Sequence, residues 1–324
     1  MRRLLVLLTA CLLMLSTAAC GDSSSDSKKK AEVDMGDTIK GLKVSGKFAA
    51  APSIKVDPAV KASKPTTQVI SAGDGDKVQA NKKAMFDISI AKGDGTKLYS
   101  DVDRGTPTQV DMQENQFFPV LIDGLVGKPQ GSRVAIAAKV KDVWGAAGAP
   151  QLKLKTSDTV VFVVDVLSVQ PTKVIDGPEG TKVKAPANAP AVEQSGGKVT
   201  GIDFSSAPKK APKKPPTKLQ LIPLIEGTGP AAEAGRLVTF NYYGAVYGNK
   251  KPFDSSFSRG APVPFGVGVN GLIPAWDEVI PGLKQGSRVL IIAPPADGYG
   301  AQAQSGIPAN STLTFVVDVL GVDS

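Results

Sequence analysis

Two stretches of this chain, 155 residues apart from Gly131 to Gly286, repeat one another. The first reads Gly127-Lys128-Pro129-Gln130-Gly131-Ser132-Arg133-Val134 and the second Gly282-Leu283-Lys284-Gln285-Gly286-Ser287-Arg288-Val289. Each runs on through apolar residues to the same hexapeptide, Phe162-Val163-Val164-Asp165-Val166-Leu167 in one copy and Phe315-Val316-Val317-Asp318-Val319-Leu320 in the other. A repeat of this length means that one structural plan is used twice. At 324 residues the chain has room for two modules of ordinary size, each with its own core.

Between the copies, residues 170–216 are rich in Pro, Lys, Ala and Gly, with only short apolar clusters such as 199–204. They read as a linker, partly polyproline-like. In the second copy, residues 219–225, 237–246, 289–292 and 313–322 read as strands from their β-branched and aromatic content. A short helix is expected over 274–280, because Pro274 suits a first helical position, Asp277 and Glu278 suit the N-terminal end of the dipole, and Gly282 follows the stop. The expected class is α+β: two modules, each an antiparallel sheet wrapped around a short helix.

The sequence contains no histidine, which excludes a Ser-His-Asp triad, a Cys-His pair and a histidine-held metal. Its two cysteines, Cys11 and Cys20, fall in the first twenty residues, so the remainder has neither an internal disulfide nor a catalytic thiol. The expectation is therefore no metal and no cofactor. The net charge of +8 is concentrated in Lys28 to Lys30 and in the run Lys209-Lys210-Ala211-Pro212-Lys213-Lys214-Pro215-Pro216. Neither run interleaves aromatics for base stacking, so they read as solvated tails and nucleic acid is not an expected partner. A weak attraction to anionic lipid or wall polymer suits them better.

Met1-Arg2-Arg3 and the apolar run 4–15 form a positive and then a hydrophobic region too short to span a bilayer, the pattern of a secretory signal over residues 1–19. The stretch Thr17-Ala18-Ala19-Cys20 resembles a bacterial lipobox, in which the cysteine is lipidated and becomes the mature N-terminus. Cys20 is thus the expected lipidation site, residues 20–40 a flexible tether, and the extracytoplasmic face of a bacterial cell membrane the expected location.

The second copy carries, in order, Gly227-Thr228-Gly229, Asn241-Tyr242-Tyr243-Gly244, Phe253-Asp254-Ser255-Ser256, Leu272-Ile273-Pro274-Ala275-Trp276-Asp277, Tyr299-Gly300 and the run from Ile307 to Phe315. In this order and spacing the segments resemble the FKBP family of peptidyl-prolyl isomerases. The resemblance implies two FKBP-like domains, a degenerate one over 41–169 and an isomerase domain over 217–324. By position it implies a proline pocket with catalytic Asp254, Tyr299, Trp276 and Phe253, and with Tyr242, Arg259, Val263, Leu272, Ile273, Ile307 and Phe315 binding substrate. Trp276 would form the floor, the Ile273 N–H would supply a polar contact, and Ile307 would belong to a flap. Val263 stands where the best-known members carry an aromatic. The partners implied are proline-containing exported polypeptides and, at the same pocket, rapamycin-like macrolides.

The residues suit that chemistry. Rotation about an X–Pro amide faces a barrier of ~18–20 kcal/mol without making or breaking a covalent bond. No nucleophile or metal is needed; a dry aromatic pocket favours the twisted amide, whose charge separation is smaller. The alternative class is a non-catalytic peptide-binding or holdase module using the same apolar groove. In the first copy Leu98-Tyr99 stands at the place of Phe253-Asp254, Ile88 at that of Tyr242, Leu121 at that of Trp276 and Trp144 at that of Tyr299, so it is expected to keep the fold and lose the chemistry. A change of register would instead bring Asp101 to the site.

Overall fold

The structure, a computed structural model, describes residues 34–113, 115–205 and 214–323. The expected signal peptide, Cys20, most of the tether and part of the Lys-Pro run lie outside the described residues. Among the described residues no helix is long and apolar enough to cross a membrane.

The first repeat contributes strands β1 (Leu42–Ser45), β2 (Ser53–Val56), β3 (Thr66–Ser71), β4 (Lys83–Lys92), β5 (Lys97–Ser100), β6 (Thr108–Asp111), β7 (Arg133–Lys139) and β8 (Thr159–Val169). Its helices are α1 (Asp101–Arg104), α2 (Pro119–Leu125) and α3 (Val140–Trp144). The second contributes β9 (Gly180–Lys182), β10 (Ala191–Ser195), β11 (Lys198–Asp203), β12 (Gln220–Gly227), β13 (Arg236–Val246), β14 (Asp254–Ser255), β15 (Val263–Val267), β16 (Arg288–Ala293) and β17 (Leu313–Val322), with helices α4 (Ser256–Arg259) and α5 (Pro274–Val279). The two large sheets run β3-β7-β8-β4-β5, with β6 also on β4, and β9-β12-β16-β17-β13-β14, with β15 also on β13. Apart from the added β9 they share one topology, and their paired strands are antiparallel. The expected α+β plan, used twice, is what the chain adopts.

The central strands of each sheet, β7 and β8 in the first and β16 and β17 in the second, are buried along nearly their whole length because both faces are covered. On β17, Phe315, Val317 and Val319 point to the core under α5, whereas Val316 points to a second core on the outer face. That outer core is closed by the hairpin of β10 and β11, whose Val199 and Ile202 pack with Tyr243, Leu290, Ile292 and Val316. In the first module the hairpin of β1 and β2 covers Ala135, Ala137, Val161 and Val163 in the same way. Residues 170–216, expected as a linker, therefore contain three strands of the second module; burial of their apolar faces overrides a loop-like composition. Similarly, residues 34–40 of the expected tether run beside β3, where Val69 N–H donates to Met35 O at 2.8 Å and Ile39 is buried.

The repeated motifs hold these outer layers in place. Arg133 faces Asp165 across β7 and β8, and Arg288 faces Asp318 across β16 and β17. Each guanidinium grips its carboxylate with two bonds, 2.6 and 2.7 Å in the first module and 2.5 and 2.6 Å in the second. The remaining donors reach the covering hairpin: Gly46 O, Lys47 O and Ala50 O from Arg133, and the Gln194 side chain and Gly197 O from Arg288. All four charged side chains are almost wholly buried. A partner for each guanidinium nitrogen is what makes such burial tolerable, and removing one member of such a pair costs about 3–5 kcal/mol. Gly286 in the same motif has φ +94, and a Cβ there would stand 2.3 Å from Glu179 O.

Candidate active site

Five aromatic side chains converge in the second module. Pro274 opens α5, and the first turn directs Trp276 into the core, where it is 4% exposed. Around its indole stand Phe240 at 5.6 Å, Tyr242 at 5.5 Å, Phe265 at 6.3 Å and Phe315 at 5.5 Å, with interplanar angles of 74°, 89°, 90° and 82°. Edge-to-face packing of this kind is the favoured aromatic geometry. Asp277, on the same helix, accepts from Gly268 N–H at 2.7 Å and Leu272 N–H at 3.3 Å, which fixes the loop leading into α5. Phe253 meets Phe315 edge-on at 5.7 Å. Gly244 makes this approach possible, since a Cβ there would lie 2.9 Å from the Phe253 ring and 3.0 Å from that of Phe315.

Above the indole lies a cavity of about 450 Å³, lined by Tyr242, Phe253, Asp254, Phe265, Gly271, Leu272, Ile273, Pro274, Trp276, Gly298, Tyr299 and Phe315. At its edge, Tyr242 donates its hydroxyl to Asp254, Arg259 reaches the same carboxylate, and Arg259 Nη2 donates to the Tyr242 hydroxyl at 2.7 Å. Burial, reinforced by the bond to Asp254, pushes the Tyr242 phenol above its ordinary value, so the ring keeps its proton. The buried Trp276 Nε1 proton has no partner among the described residues. The cavity thus offers an apolar floor and walls and a polar rim. Among the described residues no group of His, Cys, Asp and Glu side chains could hold a metal ion.

Eight of the residues proposed from sequence line one cavity: Asp254, Tyr299, Trp276, Phe253, Tyr242, Leu272, Ile273 and Phe315. Three do not. Arg259 stands behind Asp254 and Tyr242, Ile307 is buried in the core beside Trp276, and Val263 packs against that core from β15. Phe265, two residues after Val263 on the same side of β15, supplies the aromatic wall and was missed. Its only sequence signal was an aromatic at strand spacing from Val263.

The first module lacks this arrangement. Strand register places Tyr99 opposite Ile90, as Asp254 lies opposite Gly244, and Ile88 opposite Val164, as Tyr242 lies opposite Val317. Leu121 occupies the third position of its proline-led helix, where α5 carries Trp276. Trp144 packs on Phe118 at 5.6 Å and Phe162 at 6.0 Å. The Asp101 carboxylate does not return to the site: it is buried, accepting from Ile88 N–H at 3.0 Å, Thr108 at 2.8 Å and Tyr99 at 2.5 Å.

Fold and site together define a tandem of antiparallel sheet-and-helix modules, of which the second encloses a pocket lined largely by aromatic side chains. Residues 68–167 and 229–320 both match the family described as FKBP-type peptidyl-prolyl cis-trans isomerase, and the chain belongs to that family. A FK506-binding protein of Streptomyces anulatus is 36% identical over 111 residues, 34% of this chain and 90% of that protein. The FKBP-type peptidyl-prolyl cis-trans isomerase FkpA of Escherichia coli strain K12 is 36% identical over 116 residues, 36% of this chain but 42% of the relative. Among solved structures, the three FKBP domains of wheat FKBP73 align with 80% of this chain and 94% of that one, at 16% identity and a TM-score of 0.33.

Proposed function

We propose that the second module catalyses cis/trans isomerisation of X–Pro bonds in exported polypeptides, with the aromatic cavity as its proline site. The observation that carries this reading is the Trp276 floor, ringed edge-on by Phe240, Tyr242, Phe265 and Phe315 and open on one side to Asp254 and Tyr299. A proline ring seated on the indole leaves its amide at the rim, where the apolar walls favour the twisted form and the polar rim orients the flanking carbonyls. The slow step of many folding chains is this isomerisation. Rapamycin-like macrolides compete for the same cavity. Cis/trans exchange of a short X–Pro peptide, followed by NMR with and without the full chain, tests the reading. Accelerated exchange is expected; binding of the peptide without acceleration would make the protein a holdase instead.

The working location, in this reading, is the extracytoplasmic membrane face, with Cys20 as the lipidated anchor. The support is the lipobox-like Thr17-Ala18-Ala19-Cys20 after an apolar run. Cys20→Ser is expected to move the protein from the membrane fraction to the soluble one; retention in the membrane fraction would assign the anchor elsewhere.

A further inference from the structure

Phe265 is held in place from outside its own module. Among the described residues its strand, β15, pairs with β13 alone, so the backbone groups on its other side have no strand partner there, and such an edge is free to loosen. That side faces the first module. Gly266 N–H donates to Gln109 Oε1 of β6 at 2.8 Å. Pro264 O accepts from Lys83 Nζ of β4 at 3.5 Å, and the same ammonium lies 5.7 Å from the centre of the Phe265 ring. Met85, fully buried, fits against Gly266 so closely that a Cβ there would stand 3.0 Å from its sulfur. Pro264, Phe265 and Gly266 therefore each have a partner in the first module. A second contact is made to β13 rather than to β15, at the residues paired with Gly266 and Val267: Ser168 accepts from Leu237 N–H at 2.8 Å and donates to Asp323 at 2.5 Å, while Arg236 reaches Leu167 O at 2.8 Å.

We propose that the first module is a strut for the pocket of the second, with Gln109 and Lys83 as positioning residues that fix the Phe265 wall. The inference rests on the reading of that pocket as the proline site. Neither residue lines the cavity; they act through the Gly266 N–H and the Pro264 carbonyl. This gives a task to a module without the counterparts of Asp254 and Trp276. Phe265 walls the proline ring, which stays seated in both the ground and the transition state while the amide twists at the rim. Loosening this one wall weakens the hold on the ring in both, which raises KM, and the other walls and the rim keep kcat in place.

The test uses the full chain. In the double variant Gln109→Ala with Lys83→Ala, KM for an X–Pro peptide is expected to rise about fivefold with kcat within about twofold, and the Gly266 amide to exchange faster with deuterium. Gln109→Glu keeps the acceptor and is expected to retain the wild-type KM, which Gln109→Ala does not. Ser168→Ala, which breaks bonds to β13 and Asp323 and leaves those of Gln109 and Lys83 to β15 in place, is expected to lower Tm without moving KM. An unchanged KM in the double variant, the same KM rise in Ser168→Ala, or unaltered Gly266 exchange would each overturn the proposal. If the wild-type chain shows no isomerisation, the functional reading falls, and Gly266 exchange still judges the strut.

Discussion

Arg259 both stacks on Tyr242 and bonds to it: the guanidinium carbon lies 5.5 Å from the ring centre, and Nη2 donates to the hydroxyl oxygen at 2.7 Å. Both residues also reach Asp254, so a neutral phenol, a carboxylate and a guanidinium share one edge of the cavity. An aromatic wall is thereby tied to the rim that meets the substrate backbone.

Asp254→Ala removes the acceptor common to Tyr242 and Arg259. Hydrogen bonds to charged groups contribute about 1.5–3 kcal/mol, so kcat/KM is expected to fall about tenfold or more. The carboxylate is 41% exposed, so circular dichroism is expected to report an intact fold. Wild-type turnover would move the site away from this rim.

Trp276→Leu installs in the second module the residue that the first carries at this place, Leu121. Because the first module folds around that leucine, the variant is expected to fold at 25 °C, with a loss of about 3 kcal/mol from the enlarged cavity. Isomerase activity is expected to drop at least about tenfold with the floor gone. Exchange NMR at the wild-type rate would show that the indole is only core.

Truncation separates the modules, provided that the cut respects the outer layer. A fragment of residues 196–324 loses β9 and β10, which pair with β12 and β11 and help cover Tyr243, Leu290 and Val316. It is expected to melt lower than a fragment of residues 173–324. The longer fragment is expected to isomerise X–Pro bonds and residues 34–170 to leave the exchange rate at background. Comparable turnover by the first fragment would refute this division of labour.

Asp87, on the outer face of β4, has its carboxyl pushed up to about 6, first by burial and then by Asp101 and Asp165, against the opposing pull of Arg133. The folded state then binds this proton more tightly than the unfolded one, so stability is lost as pH rises from about 4 through 6. Asn241 fills the same register position in the second module. Asp87→Asn is expected to stabilise the protein above pH 6 by about 1–2 kcal/mol, less than the full shift implies because the side chain is only partly buried, and to give no gain below pH 4. Thermal melts at pH 4 and pH 7 check the sign; equal gains at both would assign it to something other than this charge.

The amino-acid sequence alone determined the duplication, the paired sheets, the proline-led helix and eight residues of the cavity. These are local signals: the β-branched density of β13 and β17 and the order of short motifs around Trp276 survive without knowledge of the partner strands. It also displayed Arg288 and Asp318 as parts of a repeat, but their meeting depends on the register of β16 against β17. Tertiary structure decided the rest. Strands β9 to β11 owe their order to a preformed sheet that buries Val199 and Ile202, which no composition of Pro, Lys and Gly announces. Val263 and Phe265 share one side of β15, so strand alternation alone does not say which of them lines the cavity, and in the folded module it is Phe265. The bond from Gly266 to Gln109 joins residues 157 apart in sequence; such a contact is a property of two docked surfaces, and neither segment encodes it by itself.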